Sequence, residues 1–214
     1  MKIRKILAVA AGARQVPVLL DSHGIGFQSI GCMNWDDYLY KPSVLFRIAH
    51  TGASILLHYK VTESSVRAKY AEDNSTVCKD SCVEFFFMPA HDGIYYNIEC
   101  NCAGVLKLAV GMNRHERETA SSEVLKEVKR WSSLPAAPFS EQYGEISWEM
   151  AMVVPCAAFF KHTFLLLDGM SASGNFYKCG DELRTPHFLS WQPVLLPAPD
   201  FHAPLFFGLL EFEN

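Results

Sequence analysis

Apolar and polar positions alternate through most of this chain. Along SILLHYKVTE (54–63), Ile55, Leu57, Tyr59 and Val61 fall on one side, with His58 and Lys60 on the other. That period of two belongs to a strand with one face in a core. SVLFRIAH (43–50) precedes it across TGA, a glycine-containing connection suited to a hairpin. CVEFFFMP and YYNIECNCAGVLKLAV read as two further strands joined at the turn signal AHDG. GEISWEMAMVVP (144–155) makes another that stops at a proline, and TFLLLDGMSASGNFYK and LFFGLLEFE supply the last.

Helical signals are few. SSEVLKEVKRW (121–131) offers a serine N-cap and places Val124, Leu125, Val128 and Trp131 at helical spacing. PCAAFFKH reads as one short helix with proline near its start. The proline-rich stretch 184–204 predicts an extended, irregular loop, the kind of segment that carries binding residues beside a rigid sheet. Many short strands with scarcely any helix between them predict an all-β fold, a β-sandwich. No repeat or linker divides the chain, so residues 1–214 are expected to form one domain.

The same alternation sorts the polar residues. In DSCVEFFFM, Val83, Phe85 and Phe87 point one way and Cys82, Glu84 and Phe86 the other. In YYNIECNC, Tyr96, Ile98, Cys100 and Cys102 share a face, opposite Tyr95, Asn97, Glu99 and Asn101. If the two strands pair, Glu84 shares a surface with Asn97, Glu99 and Asn101. These amides and carboxylates can form the floor of a groove suited to sugar hydroxyls, with aromatic rings as platforms. An ordinary solvated sheet face is the plainer alternative.

Composition narrows the classes. Half the residues are apolar and 13% are aromatic, enough for a sizeable core. The formal net charge of −4 leaves no basic stripe for phosphates, so nucleic acid is not an expected partner. No apolar run approaches the roughly 20 residues needed to cross a bilayer. The start, MKIRKILAVAAGA, has the outline of a signal peptide. Its apolar part is only about eight residues, however, so a first strand or surface segment is expected. The seven cysteines are an odd number without the spacing of a disulfide framework or a structural zinc site. They read as buried free thiols, which favours a cytoplasmic over an exported location.

DSCVEFFF (80–87), YYNIECNCAG (95–104), SWEMAMVVP (147–155), GNFYKCGDE (174–182), FLSWQPV (188–194) and FHAPLFFGLLEFE (201–213) occur in the order seen in family 9 carbohydrate-binding modules. The chain most resembles the free-standing Bacteroidetes type. The resemblance starts near Asn34 and leaves residues 1–33 as an N-terminal extension packed on or beside the domain. It implies a β-sandwich of jelly-roll type that binds oligo- or polysaccharide in glycan catabolism, often with bound calcium. The family's first stacking tryptophan falls at Cys78, its motif glutamate at Glu84, its next-strand arginine at Asn97, its second stacking tryptophan at Trp191 and its asparagine region at Asn175. One aromatic platform and one cationic donor are therefore absent, unless Tyr95, Tyr177 or Phe188 substitutes for the ring.

The expected ligand is a carbohydrate, with Trp191 stacking on it and Glu84, Asn97, Glu99, Asn175, Tyr177 and Lys178 around it beside Cys78. Lys178 and Asp181 also read as a turn with a surface ion pair. Asp73, Asp80, Asp92 and Glu84 are candidate oxygen ligands for calcium, although no D-x-D-x-D-G loop is present. A monomer or weak dimer is expected. Two alternatives stand beside a non-catalytic binder. One is a glycoside hydrolase using Glu84 and Glu99. The other is an interaction domain that keeps the sandwich without its ligand.

Overall fold

The alternating segments pair into two sheets that face each other across a layer of apolar side chains. The structure, a computed structural model, describes residues 1–7 and 12–214. Residues 8–11, within the signal-like segment, lie outside the described residues. Among the described residues, no helix is long and apolar enough to cross a membrane.

In chain order the first strands are β1 (Lys2–Ile3), β2 (Gln28–Ser29), β3 (Cys32–Met33), β4 (Ser43–His50) and β5 (Ser54–Ala68). Next come β6 (Cys82–Met88), β7 (Tyr95–Asn101), β8 (Leu106–Gly111), β9 (Arg117–Thr119) and β10 (Lys129–Ser132). The last are β11 (Phe139–Pro155), β12 (Ser171–Cys179), β13 (Phe188–Ser190) and β14 (Gly208–Phe212). The larger sheet runs β1-β14-β12-β6-β7-β8-β9, with β13 and then β3 branching from β12. The smaller runs β10-β11-β5-β4-β2. Both expected hairpins form. Beyond them, β5 extends past the expected end to Ala68, and residues before Ser171 do not join β12. The result is a β-sandwich of jelly-roll type with minor helical content.

Ile55, Leu57, Tyr59 and Val61 of β5 enter the core, as the alternation requires, and towards the strand's end the phase slips so that Val66 and Ala68 do. Phe46, Phe85 and Phe176 form its centre, with ring centroids 3.9 Å apart for Phe46–Phe176 and 4.7 Å for Phe85–Phe176. The described parts of residues 1–33 are tied to both sheets. β1 pairs in parallel with β14, β2 with β4, and β3 with β13. A helix that the periodicity did not announce, α1 (Val16–Ser22), covers the outer face of the smaller sheet. Its Val16 and Leu20 pack there with Ala49, Leu56, Ala151 and Val153.

Two expected elements are shorter than predicted. The helix over 121–131 contracts to α2 (Ser122–Glu127), capped as expected by Ser121 Oγ accepting from Val124 N. Beyond it the chain turns into β10, because pairing with β11 lets Trp131 lie opposite Ala151 and pack near α1. PCAAFFKH closes only a 3₁₀ turn over Cys156–Ala158. The long apolar run after Tyr95 is also broken. Asn101 Oδ1 accepts from Ala103 N and Val105 N, and Gly104 sits at φ +91°, a conformation side-chain-bearing residues avoid.

The outer face of the larger sheet is not solvated. Cys82, Phe86 and Met88 of β6, Tyr95 of β7, and Tyr177 and Cys179 of β12 form a second apolar layer with Trp35, Val194 and Phe201. The expected loop at 184–204, which includes β13, supplies that roof. It is pinned by Val194 N donating to Asn34 Oδ1 (2.9 Å), Trp35 Nε1 to Leu196 O (2.8 Å) and Tyr177 OH to Phe201 O (3.2 Å). Every residue of β6 and β7 is consequently buried.

Candidate carbohydrate-binding cleft

The roof stops short of covering the sheet completely. Between it and the strands lies a cleft of about 450 Å³, within the range of small-ligand sites. Its floor is Glu84 of β6 and Glu99 of β7, which stand directly opposite each other in the hairpin register, with Cys179 of β12 and Asp181 beside them. Lys107, Arg114 and Arg117 supply a basic wall. Tyr38, Phe188 and Phe201 supply aromatic surface, with the Phe188 ring meeting Tyr38 edge-on at 4.8 Å.

The electrostatics follow from burial. Glu84 is held well above the usual carboxylate range, first by loss of water and then by the charge of Glu99; the Cys179 thiol, donating to Glu84 Oε1 at 3.0 Å, opposes the shift. Burial likewise lifts Asp181 to about 6. His202, accepting or donating at Nδ1 to Tyr95 OH (3.0 Å), is pushed down to about 3 by burial and then by Arg117. Glu99 Oε2 and Asp181 Oδ1 are buried and find no hydrogen-bond partner among the described residues. Lys107 Nζ stands 3.8 Å from Glu99 Oε1.

Arg117 organises the basic side. Its Nε donates to Asn97 Oδ1 at 2.8 Å, one Nη to Tyr95 O at 2.9 Å and the other to Asn113 O at 3.0 Å. Its guanidinium lies 4.3 Å from the Tyr95 ring centroid, a cation–π distance. Asn97 in turn donates to Glu99 Oε1 at 2.6 Å.

Of the residues singled out by sequence, Glu84, Glu99 and Cys78 line the cleft. Asn97 stands one step behind, positioning Glu99. Tyr177 lies beneath the roof, stacked on Phe201 at 4.1 Å.

Three others do not reach the cleft. Lys178 shares the inward face of β12 with Phe176, so its ammonium is fully buried between the sheets. There it meets Glu63 Oε2 at 2.9 Å and His187 Nε2 at 2.8 Å. The expected surface pair of Lys178 with Asp181 therefore does not form. Asn175 is occupied by backbone, its Nδ2 donating to Gln192 O and its Oδ1 accepting from Gln192 N and Phe176 N. Trp191 packs edge-on against Phe46 and Phe176 on the main core, because its own N–H donates to Phe176 O and pulls the residue onto β12. The rings at the cleft are instead Phe188, which the sequence had marked as a substitute, and Phe201 and Tyr38, which it had not. Arg114, Arg117, Lys107 and His202 were also missed. Of these, only Lys107 was accessible, through its position opposite Glu99.

The four acids proposed for calcium do not converge. Asp80 accepts from Arg67 Nε, Lys69 N, Tyr70 N and Asn101 Nδ2, each at 3.0 Å. Asp73 holds Arg130 through both oxygens. Asp92 bonds Ile94 N and His162, and Glu84 stands in the cleft. As a set they do not fit a calcium cage, which needs six to eight oxygens around one centre.

The profile described as carbohydrate-binding family 9 matches residues 14–212. The chain belongs to carbohydrate-binding family 9. A crystal structure of a provisionally assigned carbohydrate-binding protein from Bacteroides uniformis is similar at 56% identity and TM-score 0.97, covering 100% of this chain and 98% of that one. Family 9 modules from Caldicellulosiruptor kristjanssonii, solved with glucose and with cellotriose, are each 9% identical. Their TM-scores are 0.61 and 0.57, with 100% of this chain covered in both cases and 96% and 94% of theirs. At that identity they show the shared fold alone. No curated protein matches the chain. In this family 9 member the cleft brings the Phe188 and Phe201 rings into one lining with Cys78, and bonds Arg117 to Asn97.

Proposed function

We propose that the cleft binds the end of an oligo- or polysaccharide chain without cleaving it, in the service of glycan catabolism. One observation carries the reading. Two buried carboxylate oxygens, Glu99 Oε2 and Asp181 Oδ1, lack donors in a cleft that also holds guanidinium groups and aromatic faces. Sugar hydroxyls would supply those donors and accept from Arg117 and Lys107, and a pyranose C–H face would rest on Phe188 or Phe201. The family 9 modules solved with glucose and cellotriose support this choice of ligand class. The hydrolase alternative is less well supported. Glu84 and Glu99 are neighbours on one floor, whereas hydrolysis uses carboxyl groups that flank the scissile bond.

Calorimetry with glucose, cellotriose and a broader glycan panel tests the reading. The expected outcome is saturable binding to at least one saccharide, weakened roughly tenfold or more in Glu99→Gln and Phe188→Ala. Silence across the panel, or binding indifferent to both substitutions, would favour the interaction-domain alternative. Turnover of an aryl glycoside that vanishes in Glu84→Gln would favour the hydrolase.

A further inference from the structure

Two thiols and a carboxylate meet at the base of the cleft. Cys82 and Cys179 are directly opposite each other on β6 and β12, and Glu84 is the next residue of β6 on the same face. One ligand-capable atom from each, the two Sγ atoms and a carboxylate oxygen, lies within 4.8 Å of the other two. Cys179 Sγ to Glu84 Oε1 is already 3.0 Å. All three residues are at most 2% exposed.

Among the described residues no ammonium or guanidinium is paired with Cys82, Cys179 or Glu84; Lys107 of the basic wall reaches Glu99, at 3.8 Å. Glu99, 3% exposed, has an unpartnered Oε2 beside Glu84, and Asp181 has an unpartnered Oδ1. Buried acceptors left in that condition are costly. Lys178, the nearest buried ammonium along β12, is on the opposite face and committed to Glu63. A cation at the centre of the thiol–carboxylate cluster would lie close to several of these groups at once.

We propose that Cys82, Cys179 and Glu84 bind a thiophilic divalent cation of the zinc class, with Asp181 or water as fourth ligand. Zinc takes thiolate at about 2.3 Å and carboxylate oxygen at about 2.1 Å in a tetrahedron, which sets ligand atoms roughly 3.5–3.8 Å apart. Closing from at most 4.8 Å requires movement of about 1 Å. As the cation enters, both thiols ionise and release their protons to solvent, as does any proton on Glu84, so binding tightens as pH rises. Two sulfur ligands select zinc or cadmium over calcium or magnesium. Cys179 and Glu84 line the cleft while Cys82 stands behind them, so the bound ion faces the cavity.

The test uses the full chain, reduced and stripped of metal, titrated with cobalt(II), cadmium or zinc alone and with no sugar present. One molar equivalent is expected to bind, with a thiolate-to-metal charge-transfer band for cobalt that zinc reverses and millimolar calcium leaves untouched. Cys82→Ser and Cys179→Ser should each abolish the band. Cys100→Ser should keep it, since that thiol faces the core toward Met150. Glu84→Gln should keep the band and weaken affinity at least tenfold. Absence of saturable binding, binding that survives Cys82→Ser with Cys179→Ser, or equal binding of calcium would overturn the proposal. Should the serine variants fail to fold, unchanged affinity in Glu84→Gln would overturn it alone. Phe188→Ala separates the two readings, because it should impair saccharide binding and leave the metal titration intact.

Discussion

Arg117 on β9 donates from Nε to Asn97 Oδ1 on β7 at 2.8 Å, across the intervening strand β8. A guanidinium is thereby brought beside Asn97 from two strands away. The same guanidinium sits over Tyr95, so it is fixed by stacking as well as by hydrogen bonds. Arg117→Ala is expected to weaken saccharide binding roughly tenfold or more, the scale of one hydrogen bond to a charged group. Arg117→Lys should not restore it, because an ammonium lacks the planar fork that holds Asn97 and Tyr95 O together. Calorimetry on both variants, with melting temperature as the folding check, decides the matter.

Asp181 gives the fold a pH dependence of defined sign. Burial lifts its pKa from 3.8 to about 6. A group raised in the folded state contributes stability that is complete below its unfolded pKa, near 4, and is lost as pH climbs through 6. Asp181→Asn should therefore be more stable than the parent at pH 7, by about 2–3 kcal/mol, and about equal to it at pH 3.5. Urea denaturation at the two pH values measures this; a variant no more stable at pH 7 would contradict it.

Lys178 and Glu63 are both fully buried, and Trp148 Nε1 donates to the free side of Glu63 at 2.7 Å. Removing one partner strands the other charge away from water. Lys178→Met or Glu63→Leu alone is expected to cost about 3–5 kcal/mol, whereas the double substitution should recover most of that loss. A double-mutant cycle by chemical denaturation reads the coupling.

Gly208 lies against Trp191 so closely that an added Cβ would come 2.7 Å from the indole Cζ3. Gly208→Ala should displace the indole from Phe46 and Phe176 and destabilise the fold by about 1–3 kcal/mol. Saccharide affinity should stay within about twofold, since Trp191 does not line the cleft. A large loss of affinity in the folded variant would return Trp191 to the binding surface.

What could be read from sequence follows the reach of local periodicity. Glu84 and Glu99 were brought to one surface by two alternating strands across a short turn, a relationship that needs no knowledge of the rest of the chain. Lys178 sits in the same alternation, but its inward side chain finds Glu63 only when β12 packs over β5. That distance along the chain left no pattern. The family resemblance makes Trp191 a stacking platform; a single backbone bond to Phe176 turns it inward. Arg117 belongs to NRHERE, a charged run with no apolar partner to betray β9. The roof over Cys82, Glu84 and Phe86 was legible as a proline-rich loop, but its position over the polar face was not.

That roof is anchored at Asn34, Trp35 and Tyr177, each borne by or adjoining a strand of the larger sheet. An arriving saccharide would find its receptacle already shaped, with no flap to fold down and little ordering entropy to surrender on association. Preorganisation of this kind lowers the cost of association, so that a modest set of contacts can hold a chain end.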